Sequence, residues 1–394
     1  MLYICILLLL IFLSYKYDIK GAQANKQFWY YFVLAIFVLL AGLRYRIGGD
    51  TVEYIDRFYY IYPSLSDFSF EDYPIGRDPL YVLLNSIVKS LGGKFYVLQL
   101  ILAAFVNILI FKYIKRHTPY VFTGVAFYFL GAFFIFNTEI LRGAISIVIC
   151  LYANDFIMGR KWLRGIILYV IASLFHVQTL VIAFTPLLFF LRFNKKGVVF
   201  LIIMFFVSVI MQKYFGVFFN KLEMVEAVSE KGAYYNEQEG FSQTGNLNFF
   251  IVGIIPYVVY ILFCVRSLKR KGCYERIKHI EPYLLLGLSF YIVLINNGIA
   301  NRYVDYYRVY FAILYAETYV CLIKTKSQII TKQTLIRTFI IFLPMLLLQY
   351  GYFTRIGGGV RYNPYSSVIE RKIDPQREKY YSNIGLSAPR PEDY

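Results

Sequence analysis

Charged residues are scarce in this sequence. Asp, Glu, Lys and Arg make up 16% of its 394 residues, whereas hydrophobic residues make up 59% and aromatic residues 20%. A soluble globular domain contains about 25% charged residues, so the composition excludes an ordinary soluble protein and predicts an integral membrane protein. The 39 tyrosines nearly match the 37 phenylalanines in number, which is typical of a large surface at the membrane–water boundary.

The sequence also lacks the motifs of soluble catalytic domains. It contains no GxxxxGK phosphate loop, no GxGxxG after a strand pattern, no HExxH and no GxSxG. Its five cysteines show no CxxC or other paired spacing, which argues against disulfides and cysteine-bound metals. No internal repeat is visible, and this disfavours an inverted-repeat transporter. We therefore expect no cofactor and no metal.

Long apolar runs separated by short basic loops predict an all-α, polytopic transmembrane bundle of about 11–12 spans. The predicted spans are 2–15, 28–43, 94–111, 119–137, 143–158, 165–191, 197–215, 248–266, 280–297, 303–322 and 335–351. The first run lacks the basic start of a signal peptide, so we interpret it as a retained span. The prediction is one bundle over 1–352, with outer loops at 44–93 and 216–247, followed by an extracytoplasmic tail at 353–394.

Two apolar segments do not fit a simple span. Residues 79–91 place apolar side chains at helical intervals, between an Asp78-Pro start and a Gly-Gly end, but the segment is too short to cross a bilayer. Residues 165–191 are too long for one upright span and are interrupted by His176 and other polar residues. We predict an outer interfacial helix at 79–91, with Asp78 as its N-cap, and a broken helical hairpin at 165–191 with His176 near the bend.

The net charge of +17 is explained by membrane orientation. With those two choices, more than half of the 41 basic residues fall in six short loops on one side of the bilayer: 16–27, 112–118, 159–164, 192–196, 266–278 and 324–337. Cytoplasmic loops carry such an excess of Lys and Arg. We therefore predict these loops inside, the N-terminus and the tail outside, and no nucleic-acid partner.

The candidate site residues share a predicted position at the outer edge of the membrane, apart from His176 in the hairpin. They are Arg44, Arg46, Asp50, Arg77, Glu139, Arg142, Arg302, Asp305 and Arg308. Each has an ordinary interpretation: snorkelling arginines, a local ion pair at Glu139 and Arg142, a salt bridge between residues 302 and 305, and a core histidine. Charged groups at membrane depth more often mark ion or substrate pathways or binding sites. Because the candidate residues share one predicted position, we favour a common site.

The chemistry of this set indicates recognition of a diphosphate. The inner loops mix Lys with Arg, whereas the basic residues of the predicted outer site are all arginines, whose planar fork binds phosphate oxygens in pairs. When a sugar is transferred from a lipid-linked diphosphate, the diphosphate is the leaving group. The transfer therefore needs no ATP outside the cell. We predict His176 as the general base, with Asp50 as second choice, and Arg44, Arg46, Arg142 and Arg302 as diphosphate ligands. Asp50 with Glu53 could hold a metal, but the pattern demands none.

The sequence resembles the EpsG family of bacterial membrane proteins, related to the Wzy-type polymerases of O-antigen, capsule and exopolysaccharide. The resemblance rests on four motifs: Leu43-Arg-Tyr-Arg-Ile-Gly-Gly-Asp-Thr-Val-Glu-Tyr54, Asp78-Pro-Leu-Tyr81, Leu141-Arg-Gly-Ala-Ile-Ser146 and Ser173-Leu-Phe-His-Val-Gln-Thr-Leu180. It implies a multi-pass protein of the bacterial inner membrane that joins undecaprenyl-diphosphate-linked oligosaccharides at the outer face. By motif match it also implies roles for Arg44, Arg46, Asp50, Arg142 and His176. The family often has Arg-Gln where this chain has Arg142-Gly143.

We therefore expect a membrane polysaccharide polymerase, whose partners are the lipid-linked oligosaccharide, the bilayer and, as further candidates, a chain-length regulator and a flippase of the same pathway. Three alternatives remain open at this point: an O-antigen-type ligase or polyprenyl-phosphate-sugar glycosyltransferase, a flippase for the lipid-linked repeat, and a structural scaffold. A flippase predicts charges throughout the bilayer depth, whereas the intramembrane charges here cluster at the outer edge, with Glu317 as the main exception.

Overall fold

The computed structural model describes residues 2–221, 255–294, 300–324, 332–333, 336–337, 339–340, 343 and 358–383. These residues form helices, and their one β-pairing is an isolated antiparallel bridge between Arg44 and Ser367. The chain divides into two compact units, Met1–Val177 with Met345–Tyr394, and Gln178–Pro344. Residues 216–221 of the predicted outer loop 216–247 form the end of the helix Lys195–Lys221, whereas the rest of that loop and most of the predicted last span 335–351 lie outside the described residues.

The first unit contains helices at the predicted positions, together with one helix in the predicted outer loop and two near the C-terminus that were not predicted. They are α1 (Leu2–Leu13), α2 (Lys26–Gly42), α3 (Thr51–Asp56), α4 (Pro79–Ser90), α5 (Phe95–His117), α6 (Val121–Tyr128), α7 (Leu141–Met158), α8 (Trp162–Phe175) and, near the C-terminus, Gly358–Tyr362 and Pro375–Asn383. Four π-helical turns extend or join them, at Ser14–Ile19, Arg57–Ile61, Phe129–Phe133 and Ile135–Glu139. Helix α7 packs against α8 and α5, while α2 packs against α5.

The second unit begins with short turns and continues with longer apolar helices. Its helices are α9 (Thr179–Ile182), α10 (Lys195–Lys221), α11 (Ile255–Arg270), α12 (Glu281–Leu294), α13 (Ala300–Val304) and α14 (Arg308–Ile323). Helix α12 packs against α10 and α13, and α11 packs along α14.

Several of these helices are apolar enough to cross a bilayer. Among the described residues, three are also long enough: Leu2–Ile19, Phe95–His117 and Leu141–Met158. Shorter apolar helices include Lys26–Gly42, Val121–Phe133 and Trp162–Phe175. The all-helical membrane fold is thus confirmed, while the number of spans and their orientation stay predictions.

Helix α4 and the break at His176 appear where the sequence placed them. The helix runs Pro79–Ser90, and Gly92 follows it with a φ of 74°. Helix α8 ends at Phe175, and His176 takes an extended conformation, with φ −158° and ψ 115°. The second half of the segment predicted as a hairpin contains short helical turns at Thr179–Ile182 and Thr185–Leu188, and the hairpin itself stays a prediction.

Candidate functional site

Asp78 lies at the centre of a cluster of charged side chains in the first unit. Its Oδ2 atom accepts a hydrogen bond from Nη1 of Arg142 at 2.5 Å, and its Oδ1 accepts one from the backbone N–H of Val177 at 3.1 Å. The Nδ1 atom of His176 lies 3.7 Å from the same Oδ1. The Asp78 side chain is 1% exposed, compared with 22% for Arg142 and 13% for His176. A buried carboxylate thus bonds a partly exposed guanidinium and lies beside a partly exposed imidazole.

The local sequence explains why Asp78 makes these contacts instead of capping its helix. Asp78 occupies the N-cap position of α4 as predicted, but its side chain makes no capping hydrogen bond. Its φ of 55° is in the left-handed region, which is costly for a residue with a Cβ atom. Pro79 supplies the first helical residue, and the N–H groups of Tyr81 and Val82 donate to the main-chain oxygen of Asp78 instead of to its side chain. The carboxylate is thus released towards Arg142, whose guanidinium forms a stronger, charge-assisted bond.

Helix α7 presents Arg142 and leaves space for the imidazole. The helix begins at Leu141, directly after a π-helical turn that ends at Glu139, and π-turns of this kind are frequent at functional sites. A Cβ atom on Gly143 would lie 3.6 Å from Cδ2 of His176, in ordinary contact. The guanidinium of Arg142 lies 6.0 Å from the ring centroid of Tyr54, at the limit of a cation–π contact.

Glu139 forms a second cluster, which joins the first of the four motifs, residues 43–54, to the C-terminal segment. Its Oε1 accepts a hydrogen bond from the backbone N–H of Gly49 at 2.8 Å and another from the hydroxyl of Tyr362. The guanidinium of Arg361 lies 3.9 Å from its Oε2. The main-chain oxygen of Glu139 accepts a hydrogen bond from the Tyr54 hydroxyl at 3.3 Å, so Tyr54 touches both clusters.

Arg46 is held by the tail helix Pro375–Asn383. Its Nε and Nη2 atoms donate to the two carboxylate oxygens of Glu378 at 2.8 and 2.6 Å, forming a bidentate pair. The Arg46 side chain is 3% exposed. The hydroxyl of Tyr381, from the same helix, donates to the main-chain oxygens of Arg46 and Gly48. The tail thus fixes both the side chain and the backbone of this loop.

Arg44 is directed into the protein. Its Nη1 and Nε atoms donate to the main-chain oxygens of Ala41 and Ile47 at 2.5 and 3.2 Å, and the residue is 2% exposed. Burial lowers the pKa of Arg44 to about 10, so the group stays charged at neutral pH. In this conformation Arg44 stabilises the end of helix α2 and the turn that follows it.

The remaining predicted site residues are Arg77 and Asp50 in the first unit and Arg302, Asp305 and Arg308 in the second unit. Arg77 and Asp50 are both exposed, Arg77 in the turn before α4 and Asp50 at the start of α3. In the second unit, Nε of Arg308 donates to Oδ1 of Asp305 at 2.5 Å, and Arg302 is half-buried. Arg308 is thus the close ionic partner of Asp305, and Arg302 is a second, weaker electrostatic neighbour of the same carboxylate.

The structure adds four residues that the sequence did not select for the site: Asp78, Arg361, Tyr362 and Glu378. Asp78 was assigned only to a helix cap, although its position before Pro79 within a motif was a signal. The other three come from the tail, and their contacts span more than two hundred residues of sequence. Among the described residues, no three His, Cys, Asp or Glu side chains gather closely enough to hold a metal ion.

Gly48 gives a direct test of how tightly the loop is packed. Its φ is 116°, and an added Cβ atom would lie 2.6 Å from Cβ and 2.8 Å from the main-chain oxygen of Thr138. We expect Gly48→Ala to destabilise the protein by more than about 2 kcal/mol, because backbone strain and overpacking add. Gly92→Ala is the control, since Gly92 also has a positive φ but nothing within 4 Å. Thermal unfolding in detergent measures both, and equal losses would contradict the packing argument.

The fold and these clusters define a polytopic membrane protein with charged residues gathered beside its apolar helices. The family model described as EpsG family matches residues 27–367. The chain therefore belongs to the EpsG family, which is associated with polysaccharide polymerisation, a glycosyltransferase-type activity. Comparisons with the curated proteins and with the solved structures give no significant match.

Proposed function

We propose that this protein is a membrane polymerase that joins oligosaccharide repeat units carried on undecaprenyl diphosphate. The observation that carries the proposal is the Asp78 cluster, in which one buried carboxylate holds a guanidinium on one oxygen and faces an imidazole with the other. Family membership supports polysaccharide polymerisation as the process. The identity of the lipid carrier and a site open to the outer face of the inner membrane are parts of the proposal.

The cluster suits general-base catalysis of glycosyl transfer. In the proposed step, His176 directs Nδ1–H towards Asp78, which leaves Nε2 to accept the proton of an acceptor sugar hydroxyl. The acceptor oxygen bonds to the anomeric carbon of the donor sugar while the bond from that carbon to the diphosphate breaks. The bond's electron pair leaves with the diphosphate, and the proton stays on His176. Asp78 stabilises the imidazolium that forms, as a carboxylate partner does in a catalytic triad.

Arg142 is the arginine best placed to stabilise the leaving diphosphate. Its side chain is 22% exposed, whereas those of Arg44 and Arg46 are engaged by main-chain oxygens and by Glu378. Only Nη1 of Arg142 is committed to Asp78 in the hydrogen bonds described above, and a guanidinium carries five N–H donors in a fixed plane. In this proposal Arg44 and Arg46 shape the loop beside the site, and Arg142 meets the substrate.

Substitution of His176 and Arg142 tests the function. In a deletion strain, wild type should restore long polysaccharide chains, whereas His176→Gln and Arg142→Lys should leave single repeat units on lipid at the outer face. We expect losses of at least about 100-fold, because a positioned base contributes roughly 10²–10⁴ and Lys cannot reproduce the fork of Arg. Protein levels are compared by immunoblot.

The position of the accumulated repeats separates the alternatives. Repeats trapped on the inner face would indicate a flippase and overturn the proposal. Long chains that form on lipid but are not transferred onwards would indicate a ligase instead. Normal polymer in both variants would indicate that the cluster has a structural role only.

A further inference from the structure

Two cysteines that are far apart in sequence lie side by side in the second unit. The Sγ atoms of Cys273 and Cys321 are 2.7 Å apart, although 48 positions separate the residues. Both residues are free thiols with part of their surface exposed. The spacing of cysteines along the chain gave no sign of this approach.

The approach is fixed by helix packing. Cys273 lies in the loop after α11, and Cys321 lies in the last turn of α14; these two helices pack along each other. A second contact joins the same two elements, since Nη1 of Arg276 lies 3.7 Å from Oε2 of the buried Glu317. Glu317 precedes Cys321 by one helical turn and therefore shares its face of α14. Two contacts, one helical turn apart on α14, therefore join the loop to this face of the helix.

The surroundings favour a thiol–thiol reaction over metal binding. Within the described part of the chain, no third His, Cys, Asp or Glu completes a metal-binding group with these two thiols, and structural metal sites commonly use four ligands. The other cysteines provide internal comparisons, since Cys150 and Cys264 are buried and Cys5 is exposed on the first helix.

We propose that Cys273 and Cys321 are a modification site that forms a reversible disulfide. A low-molecular-weight disulfide is the oxidant: the thiolate of Cys273 attacks one of its sulfurs and releases one small thiol. The thiolate of Cys321 then attacks Sγ of Cys273 and releases the second small thiol. Two protein thiols are oxidised, their two protons are given up, and the small disulfide is reduced to two thiols.

The bond would lock the loop after α11 onto the end of α14. A disulfide needs an S–S distance of about 2.05 Å, so only a short movement separates the present thiols from the bond. The positive-inside prediction places both residues at the cytoplasmic side, where disulfides are transient and redox-sensing. In that setting the pair would report oxidative conditions.

The test uses the full-length protein in its membranes. The membranes are treated with oxidised glutathione, remaining thiols are blocked with N-ethylmaleimide, and the protein is digested and analysed by mass spectrometry. We expect a peptide linked through Cys273 and Cys321 that disappears on treatment with dithiothreitol. Cys5→Ser should keep this linked peptide, whereas Cys273→Ser and Cys321→Ser should each lose it.

The wild-type measurement decides the matter even if a variant folds poorly. Complete N-ethylmaleimide labelling of both thiols after oxidation would overturn the proposal. Glutathione attached separately to each cysteine, without a linked peptide, would overturn it as well. So would linkage of Cys273 to Cys264 in an amount equal to its linkage to Cys321, because the packing described here brings only Cys321 to it.

Discussion

Replacing Asp78 with Asn should abolish polymer formation while leaving the protein in the membrane. The substitution keeps the size of the side chain but removes the negative charge that binds Nη1 of Arg142 and faces Nδ1 of His176. The Asn oxygen can still accept the hydrogen bond from the Val177 N–H, but its NH₂ group, a donor, would then face the N–H donors of Arg142. We expect polymer yield to fall by at least about 100-fold, because the base would lose its orientation and its charge partner.

Asp67→Asn is the matched control for this experiment. Asp67 lies in the same predicted outer loop, is exposed, and bonds only local hydroxyls, those of Ser64 and Ser66, in the contacts described. It should support normal polymer yield. Polymer is measured in the complemented deletion strain, with protein levels and detergent melting recorded for each variant. An Asp78→Asn protein that is present, melts normally and still polymerises would contradict a role for Asp78 in the site.

Local patterns predicted the helices well because they depend on neighbours in sequence. Helix α4 begins at Pro79 as expected, and the break at His176 agrees with the polar interruption of an apolar run. The predicted spans 119–137 and 143–158 leave residues 138–142 between them, but the helical turn Ile135–Glu139 and helix α7, which begins at Leu141, include all of these residues except Ile140. The π-helical geometry of the turn Ile135–Glu139 was not predicted, because the hydrophobic period of a single turn does not distinguish π from α geometry.

Long-range partners could not be predicted in the same way. Arg46 was assigned to a diphosphate because its motif and predicted depth suggested it, whereas its carboxylate partner Glu378 lies 332 positions away. Asp78 was understood from its neighbours as a cap, although tertiary contacts with Arg142 and His176 decide its orientation. Residue types and spacing indicated that this region contains the site. The pairing of its charged side chains could be identified only from the folded structure. No contact tests the predicted diphosphate binding by Arg44 and Arg46, and the function proposed above assigns that role to Arg142 because the other two guanidinium groups are engaged within the protein.

The Arg46–Glu378 pair predicts that the tail is required to hold the loop that precedes α3. Glu378 lies beyond residue 367, where the match to the family model ends, whereas Arg46 lies within the matched region. Removing Glu378 would leave a guanidinium that is 3% exposed without its bidentate partner. Since Glu378 itself is 25% exposed, the cost should be on the order of 2 kcal/mol, below the roughly 3–5 kcal/mol for a fully buried pair.

A double-mutant cycle measures this coupling. We expect Glu378→Ala and Arg46→Ala each to lower the melting temperature in detergent, and the double variant to melt close to the single variants because the second substitution removes an interaction already lost. Glu370→Ala, an exposed acid on the same segment, should melt like the wild type. We also expect reduced polymer in Glu378→Ala, because the loop that donates the Gly49 N–H to Glu139 is no longer held from the tail side. Fully additive losses would show that the two side chains act independently.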